Sequence, residues 1–125
     1  MAKILLVEDD QFLFSILKNR LTKEGVEVIA ARDGEEAMSV LRGGAMPDLI
    51  LLDIILPKKS GFEVLQELRD DPSIGEAPII IVSNLGQPED IARGKELGSV
   101  EYFVKAKTSI DDLTQKIMSF ITRPS

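Results

Sequence analysis

Five short apolar runs alternate with five segments of helical periodicity, and few folds accept that pattern. The runs are Lys3–Val7 (KILLV), 26–30 (VEVIA), Leu49–Leu52 (LILL), 79–82 (IIIV) and 100–104 (VEYFV). The first, third and fourth are nearly unbroken in apolar character, as strands are when helices cover both faces of a sheet. The segments between them carry helix signals. Leu13, Ile16, Leu17 and Leu21 share one face of 11–24, and Gly25 is placed to end that helix. Asp33 with Glu36, and Ser60 with Glu63, have the spacing of a capping box. Pro88 suits the first turn of a fourth helix that stops by Gly98. Ser109 opens a fifth, with Ile110, Leu113, Ile117, Phe120 and Ile121 at core spacing. Regular strand–helix alternation predicts an α/β fold with a parallel sheet and helices on both faces.

A chain of 125 residues fits one domain with a real core, and 44% hydrophobic with 29% charged residues suits a water-soluble globular protein. The net charge of −6 opposes direct nucleic-acid binding, because phosphates repel it. Without cysteine, neither a disulfide nor a thiolate metal site can form. Without histidine, the chain lacks the commonest general base and the commonest metal ligand. No apolar run is long enough to cross a bilayer and the N-terminus lacks a signal-peptide layout, so a cytoplasmic protein away from the membrane is expected. No linker or second domain is visible, and only a few residues follow the last helix.

In open α/β sheets, ligands bind beyond the C-terminal ends of the strands. Those positions hold Glu8-Asp9-Asp10, Asp53, Ser83-Asn84 and Lys105. In a strand order of 2-1-3-4-5 the first and third strands are neighbours, which sets Asp53 beside Glu8 and Asp9. Asp53 also stands among Leu49, Ile50, Leu51, Leu52, Ile54, Ile55 and Leu56, where an unpaired carboxylate is costly. Two carboxylates about 4 Å apart repel by roughly 4 kcal/mol at an effective dielectric of about 20, so a proton or a cation must share the site. Oxygen-only ligands at a loop edge suit Mg²⁺. Lys105 and Ser83 would bind the other oxygens of a phosphoryl group. A carboxylate nucleophile, a metal, a lysine and a hydroxyl make up a phosphoryl-transfer site. Each feature alone has a plainer reading. The three acids favour a helix N-terminus, Asp53 caps a turn, Ser83 and Lys105 are solvated, and Tyr102 is a half-buried strand aromatic. Their joint placement on one sheet edge favours the site.

With these residues in view, the whole chain closely resembles the receiver domain of bacterial two-component response regulators, and among them the single-domain, chemotaxis-regulator-like kind. "ILLVEDD" is similar to the family's acidic first-strand motif, "LLDIILP" to its phosphoacceptor motif with Pro57 four residues on, and "KSGFEVL" to its glycine-containing entry to the third helix at Gly61. Ser83 matches the hydroxyl on the fourth strand, and "ELGSVEYFVK" the fifth-strand segment. The resemblance implies a flavodoxin-like five-stranded parallel sheet of order 2-1-3-4-5, one receiver domain over 1–125 and no effector domain. It implies Asp53 as phosphoacceptor, with Lys105 and Ser83 as catalytic partners. Mg²⁺ would be held by Asp9, Asp53, Glu8 and the backbone carbonyl of Ile55. Ser83 and Tyr102 would form the switch that reshapes the surface of helix four, strand five and helix five. The donor would be a phosphohistidine on a histidine kinase or phosphotransfer protein, which must be another molecule because this chain has no histidine. Output would go to a downstream protein of unknown identity, with the chain a monomer or a weak phosphorylation-dependent dimer. The domain would not be an enzyme beyond its own phosphorylation and dephosphorylation.

Three positions depart from the family pattern: Ala106 replaces the proline after the lysine, Asn84 replaces a small residue, and Ile55 stands where Met or Asn is common. The Lys105–Ala106 bond is expected to be trans with a shifted loop, since a cis bond to a non-proline residue costs about 3–4 kcal/mol. Three alternatives stay open. A dehalogenase-like phosphatase needs a second aspartate where Ile55 stands. A flavodoxin-like electron carrier needs a hydroxyl-rich loop where Glu8-Asp9-Asp10 would repel a flavin phosphate. A pseudo-receiver, binding partners without phosphorylation, is kept open by Asn84 and Ala106.

Overall fold

The computed structural model describes residues 1–74 and 76–121. Strands β1 (Lys3–Val7), β2 (Glu27–Ala31), β3 (Leu49–Leu52), β4 (Ile79–Ser83) and β5 (Glu101–Val104) alternate with helices α1 (Gln11–Lys23), α2 (Gly34–Arg42), α3 (Gly61–Asp70), α4 (Pro88–Glu96) and α5 (Ile110–Ile121). The sheet order is β2-β1-β3-β4-β5 and every pairing is parallel, as expected from the alternation. Successive side chains along a strand point to opposite faces, so each central strand feeds two cores. Leu5, Val7, Ile50, Leu52, Ile79 and Ile81 meet α2 and α3 on one face. Ile4, Leu6, Leu49, Leu51, Ile80 and Val82 meet α1 and α5 on the other. That double burial is why the central runs are apolar at consecutive positions.

The helices begin where capping chemistry places them. Asp10 accepts the N–H groups of Phe12 and Leu13 to start α1, and Asp33 accepts that of Glu36 to start α2. Ser60 Oγ accepts the Glu63 N–H at α3, and Ser109 Oγ that of Asp112 at α5. The edge strands start one residue later than their apolar runs. Val26 donates its N–H to the Leu21 carbonyl and so completes the end of α1, leaving β2 to begin at Glu27. Val100 bonds Ile79 through its backbone, but its side chain is 48% exposed and the β5 ladder opens at Glu101.

One contact ties this framework to the loop after β3. Gly61, the first residue of α3, donates its N–H to the Ile54 carbonyl at 2.9 Å. A Cβ there would lie 2.3 Å from the Asp53 carbonyl oxygen and 2.7 Å from the Ile54 Cα, both backbone atoms that cannot rotate away. Gly61→Ala is therefore expected to destabilise the fold by about 1–3 kcal/mol, the usual cost of forcing a methyl into packed space. Urea unfolding checks this; a wild-type midpoint would show that the 53–54 backbone withdraws freely.

Candidate functional site

The C-terminal ends of β1, β3, β4 and β5 deliver the expected residues to one edge. Asp53 follows β3 and donates its N–H to the Val7 carbonyl at 3.0 Å, which seats it against the end of β1. Glu8 follows β1 and is likewise tied to β2 through the Ala31 carbonyl at 3.0 Å. Both side chains are nearly excluded from solvent, at 3% exposure. Lys105, just past β5, reaches across with its ammonium 2.8 Å from Asp53 Oδ2 and 2.9 Å from Glu8 Oε1. The second Asp53 oxygen accepts the Ile55 N–H at 3.1 Å. Within the chain, the partner of the carboxylate surrounded by aliphatic residues is thus Lys105.

The three consecutive acids after β1 divide their work. Asp10 caps α1, which is the plainer reading of such acids and is correct for this residue alone. Its own N–H donates to Glu8 Oε2 at 3.1 Å. Asp9 is exposed, yet one oxygen from each of Glu8, Asp9 and Asp53 lies within 4.8 Å of the others. Burial pushes the Glu8 carboxyl up to about 7, reinforced by the Asp53 charge and only partly offset by the bond from Lys105. Burial alone would lower the Lys105 ammonium, but its bonds to Asp53 and Glu8 outweigh that and hold it above its ordinary value. When all three acids are ionised, one ammonium leaves two negative charges uncompensated. Three carboxylates, no nitrogen or sulfur donor and an excess of two charges fit a hard divalent cation such as Mg²⁺.

On the β4–β5 side, Ser83 ends β4 and is fully buried. Its Oγ accepts the Leu85 N–H at 3.3 Å, while the Tyr102 hydroxyl on β5 donates to the Leu85 carbonyl. The two expected switch residues therefore grip one residue of the β4–α4 turn by its opposite backbone groups. Burial, with the charges of Asp90 and Asp53, pushes the Tyr102 phenol up to about 12. Gly94 of α4 lets that helix press on the same region, since a Cβ there would lie 3.1 Å from the Tyr102 ring and 2.7 Å from Ile81 Cδ1. Neither the backbone role of Leu85 nor the close approach at Gly94 was expected from the sequence. A glycine inside a helical pattern signals close approach, whereas a backbone partner such as Leu85 leaves no sequence signal.

The departures resolve in part. The Lys105–Ala106 bond is trans, and Lys105 opens a 3₁₀ turn, Lys105–Lys107, yet still reaches Asp53. Asn84 is exposed, and the Ile55 side chain is 55% exposed. No helix among the described residues is long and apolar enough to cross a membrane.

Comparison with known proteins agrees with this fold. The response regulator receiver domain family matches residues 4–118. The transcriptional regulatory protein CpxR of Klebsiella pneumoniae is 43% identical over 105 residues, covering 84% of this chain and 43% of that protein. The chain spans less than half the length of the curated relatives it matches. Among solved structures, the Mn²⁺-bound form of the response regulator Rcp1 is 32% identical with a TM-score of 0.87 over 100% of both chains. The phosphorylated cyanobacterial phytochrome response regulator RcpA is 32% identical with a TM-score of 0.86, over 99% of this chain and 96% of that one. Receiver domains of this family take phosphoryl from histidine kinases in two-component signalling. The chain belongs to the response regulator receiver domain family.

Proposed function

We propose that Asp53 is the phosphoacceptor of a Mg²⁺-dependent switch. The observation that carries this reading is the Lys105 ammonium held between Asp53 and Glu8, beside a third acid. An Asp53 oxygen forms a bond to phosphorus as the phosphorus–nitrogen bond of a donor phosphohistidine breaks. The electron pair leaves with the donor imidazole, which takes up a proton. Lys105 stays at the site to bind an oxygen of the transferred group, and Ser83 turns its hydroxyl from the Leu85 N–H toward another. Asp9, Asp53, Glu8 and the Ile55 carbonyl would hold Mg²⁺, which when bound neutralises the acids and polarises the phosphoryl oxygens. Support for a divalent ion comes from the Mn²⁺-bound Rcp1 and from the donor set itself.

Movement of Ser83 disturbs Leu85, the residue that Tyr102 also holds. Tyr102 then turns inward and the face of α4, β5 and α5 changes, a local charge event biasing a two-state element. The donor is a histidine kinase or phosphotransfer protein, and the reader is another protein in the cytoplasm rather than DNA or membrane. The chain acts as one receiver unit, monomeric until phosphorylated and at most weakly dimeric then. Two of the alternatives recede with membership of this family. The pseudo-receiver reading loses its support from Ala106, because the trans bond leaves Lys105 on Asp53.

Incubation with acetyl phosphate and Mg²⁺ is expected to add one phosphoryl mass to the wild type and none to Asp53→Asn, and EDTA should abolish the gain. Labelling of Asp53→Asn at the wild-type rate would place the acceptor elsewhere.

A pH dependence follows from Glu8, whose proton must leave when a cation binds. With Glu8 titrating near 7, Mg²⁺ affinity should fall by up to about tenfold per unit as pH drops below 7. Glu8→Gln should flatten that slope. In the metal-free protein the sign reverses. The folded state binds this proton more tightly than the unfolded chain, so Glu8 makes stability fall as pH rises from 4.5 to about 7. Calorimetric titrations and urea melts between pH 5 and 8 check both; a Mg²⁺ affinity independent of pH would remove Glu8 from the site.

A further inference from the structure

The loop after Asp53 contains the one non-glycine residue with positive φ among the described residues, Lys58 at +67°. Around it the Lys59 N–H closes onto the Pro57 carbonyl at 2.7 Å. A three-residue turn with positive φ at its centre is uncommon for a residue bearing a Cβ, and it persists only where the surroundings hold it.

The surroundings that hold it are the first residues of α2. Gly34 is buried, and a Cβ on it would lie 2.1 Å from the Lys59 carbonyl oxygen and 2.7 Å from the Lys59 Cβ. The α2 backbone is therefore in direct contact with the turn, at a distance only glycine permits. Asp33, which caps α2 through the Glu36 N–H, places its other oxygen 3.7 Å from the Lys58 ammonium. From the opposite side, the Lys59 ammonium is held at 2.6 and 2.7 Å by the Glu67 carboxylate of α3. Gly61 fixes the Ile54 carbonyl. Ile55 lies between these anchors, and its N–H is committed to Asp53. The position of its carbonyl is thus set by Ile54 on one side and the 57–59 turn on the other.

We propose that Gly34 is a positioning residue for metal binding: its missing side chain lets α2 press on Lys59 and hold the strained 57–59 turn, which sets where the Ile55 carbonyl stands. The inference rests on the reading of the Asp53 edge as a Mg²⁺ site. It gives α2, a helix that contributes no residue to the acid cluster, a direct role in the affinity of that cluster for a cation.

The test measures Mg²⁺ affinity by isothermal titration calorimetry and Mn²⁺ binding by electron paramagnetic resonance. Urea stability is measured alongside, for wild type, Gly34→Ala and Lys58→Gly. Gly34→Ala should weaken Mg²⁺ about tenfold, the lower end of what losing a contact that supports a metal ligand costs. Its acetyl phosphate labelling should slow at limiting Mg²⁺ and recover at saturating Mg²⁺. Lys58→Gly removes the cost of positive φ and frees the turn. It should raise stability and lower Mg²⁺ affinity together, a pair of opposite signs that a purely structural role would not produce. If Gly34→Ala fails to fold, Lys58→Gly decides alone. Wild-type Mg²⁺ affinity in folded Gly34→Ala, or unchanged affinity in Lys58→Gly, would overturn the inference while leaving the site intact. A wild type that binds no Mg²⁺ would overturn the site and the inference with it.

Discussion

A carboxylate at the end of a strand covered on both faces needs a cation within reach, and Lys105 supplies it to Asp53 at 2.8 Å. The demand originates in the packing. β3 is buried along its whole length, so the residue that ends it enters an environment already poor in water. Its neighbour Glu8 meets the same conditions, and burial drives that carboxyl toward its neutral form. One ammonium shared between two buried acids, with a third acid at the rim, compensates part of the charge. The remaining excess suits a divalent cation, whose charge would also offset the repulsion between these acids and an anionic phosphoryl donor.

From that edge a short chain of contacts leads to α4. Ser83 and Tyr102 hold the N–H and the carbonyl of Leu85, so the turn into α4 cannot move without disturbing both. α4 itself is lightly anchored, with Gly94 as its one buried residue. Two arginines tie it to α3: the Arg93 guanidinium stacks 4.3 Å above the Phe62 ring, and Arg69 donates to the Glu96 carbonyl. A small change at Leu85 would therefore act on a helix whose hold on the core is slight, as the proposed switch requires.

Much of this was legible in the chain, for physical reasons. Strands buried on both faces cannot hide their composition, so β1, β3 and β4 stood out with nearly their observed bounds, and parallel topology then brings strand ends to one edge. The edge strands were less legible, because Val26 and Val100 share the apolar character of the strands yet serve the ends of neighbouring elements. The cap role of Asp10, as distinct from Glu8 and Asp9, depends on where α1 turns away from the sheet. The contacts of Gly34 and Gly94 depend on which helix lies over which strand or loop, and no local pattern encodes that. The trans bond before Ala106 was expected, but its compatibility with an inward Lys105 was not, because it rests on the reach of a flexible four-carbon stem.

The dependence of the buried acids on Lys105 is tested most directly by a double-mutant cycle in urea unfolding, metal-free at pH 8, where Glu8 is ionised. Lys105→Met should destabilise the wild type by about 3–5 kcal/mol, the cost of stripping a buried charge of its partner. In an Asp53→Asn background the same change should cost at least about 1.5 kcal/mol less, because the amide no longer needs the cation. An equal cost in both backgrounds would show that Lys105 and Asp53 do not depend on each other.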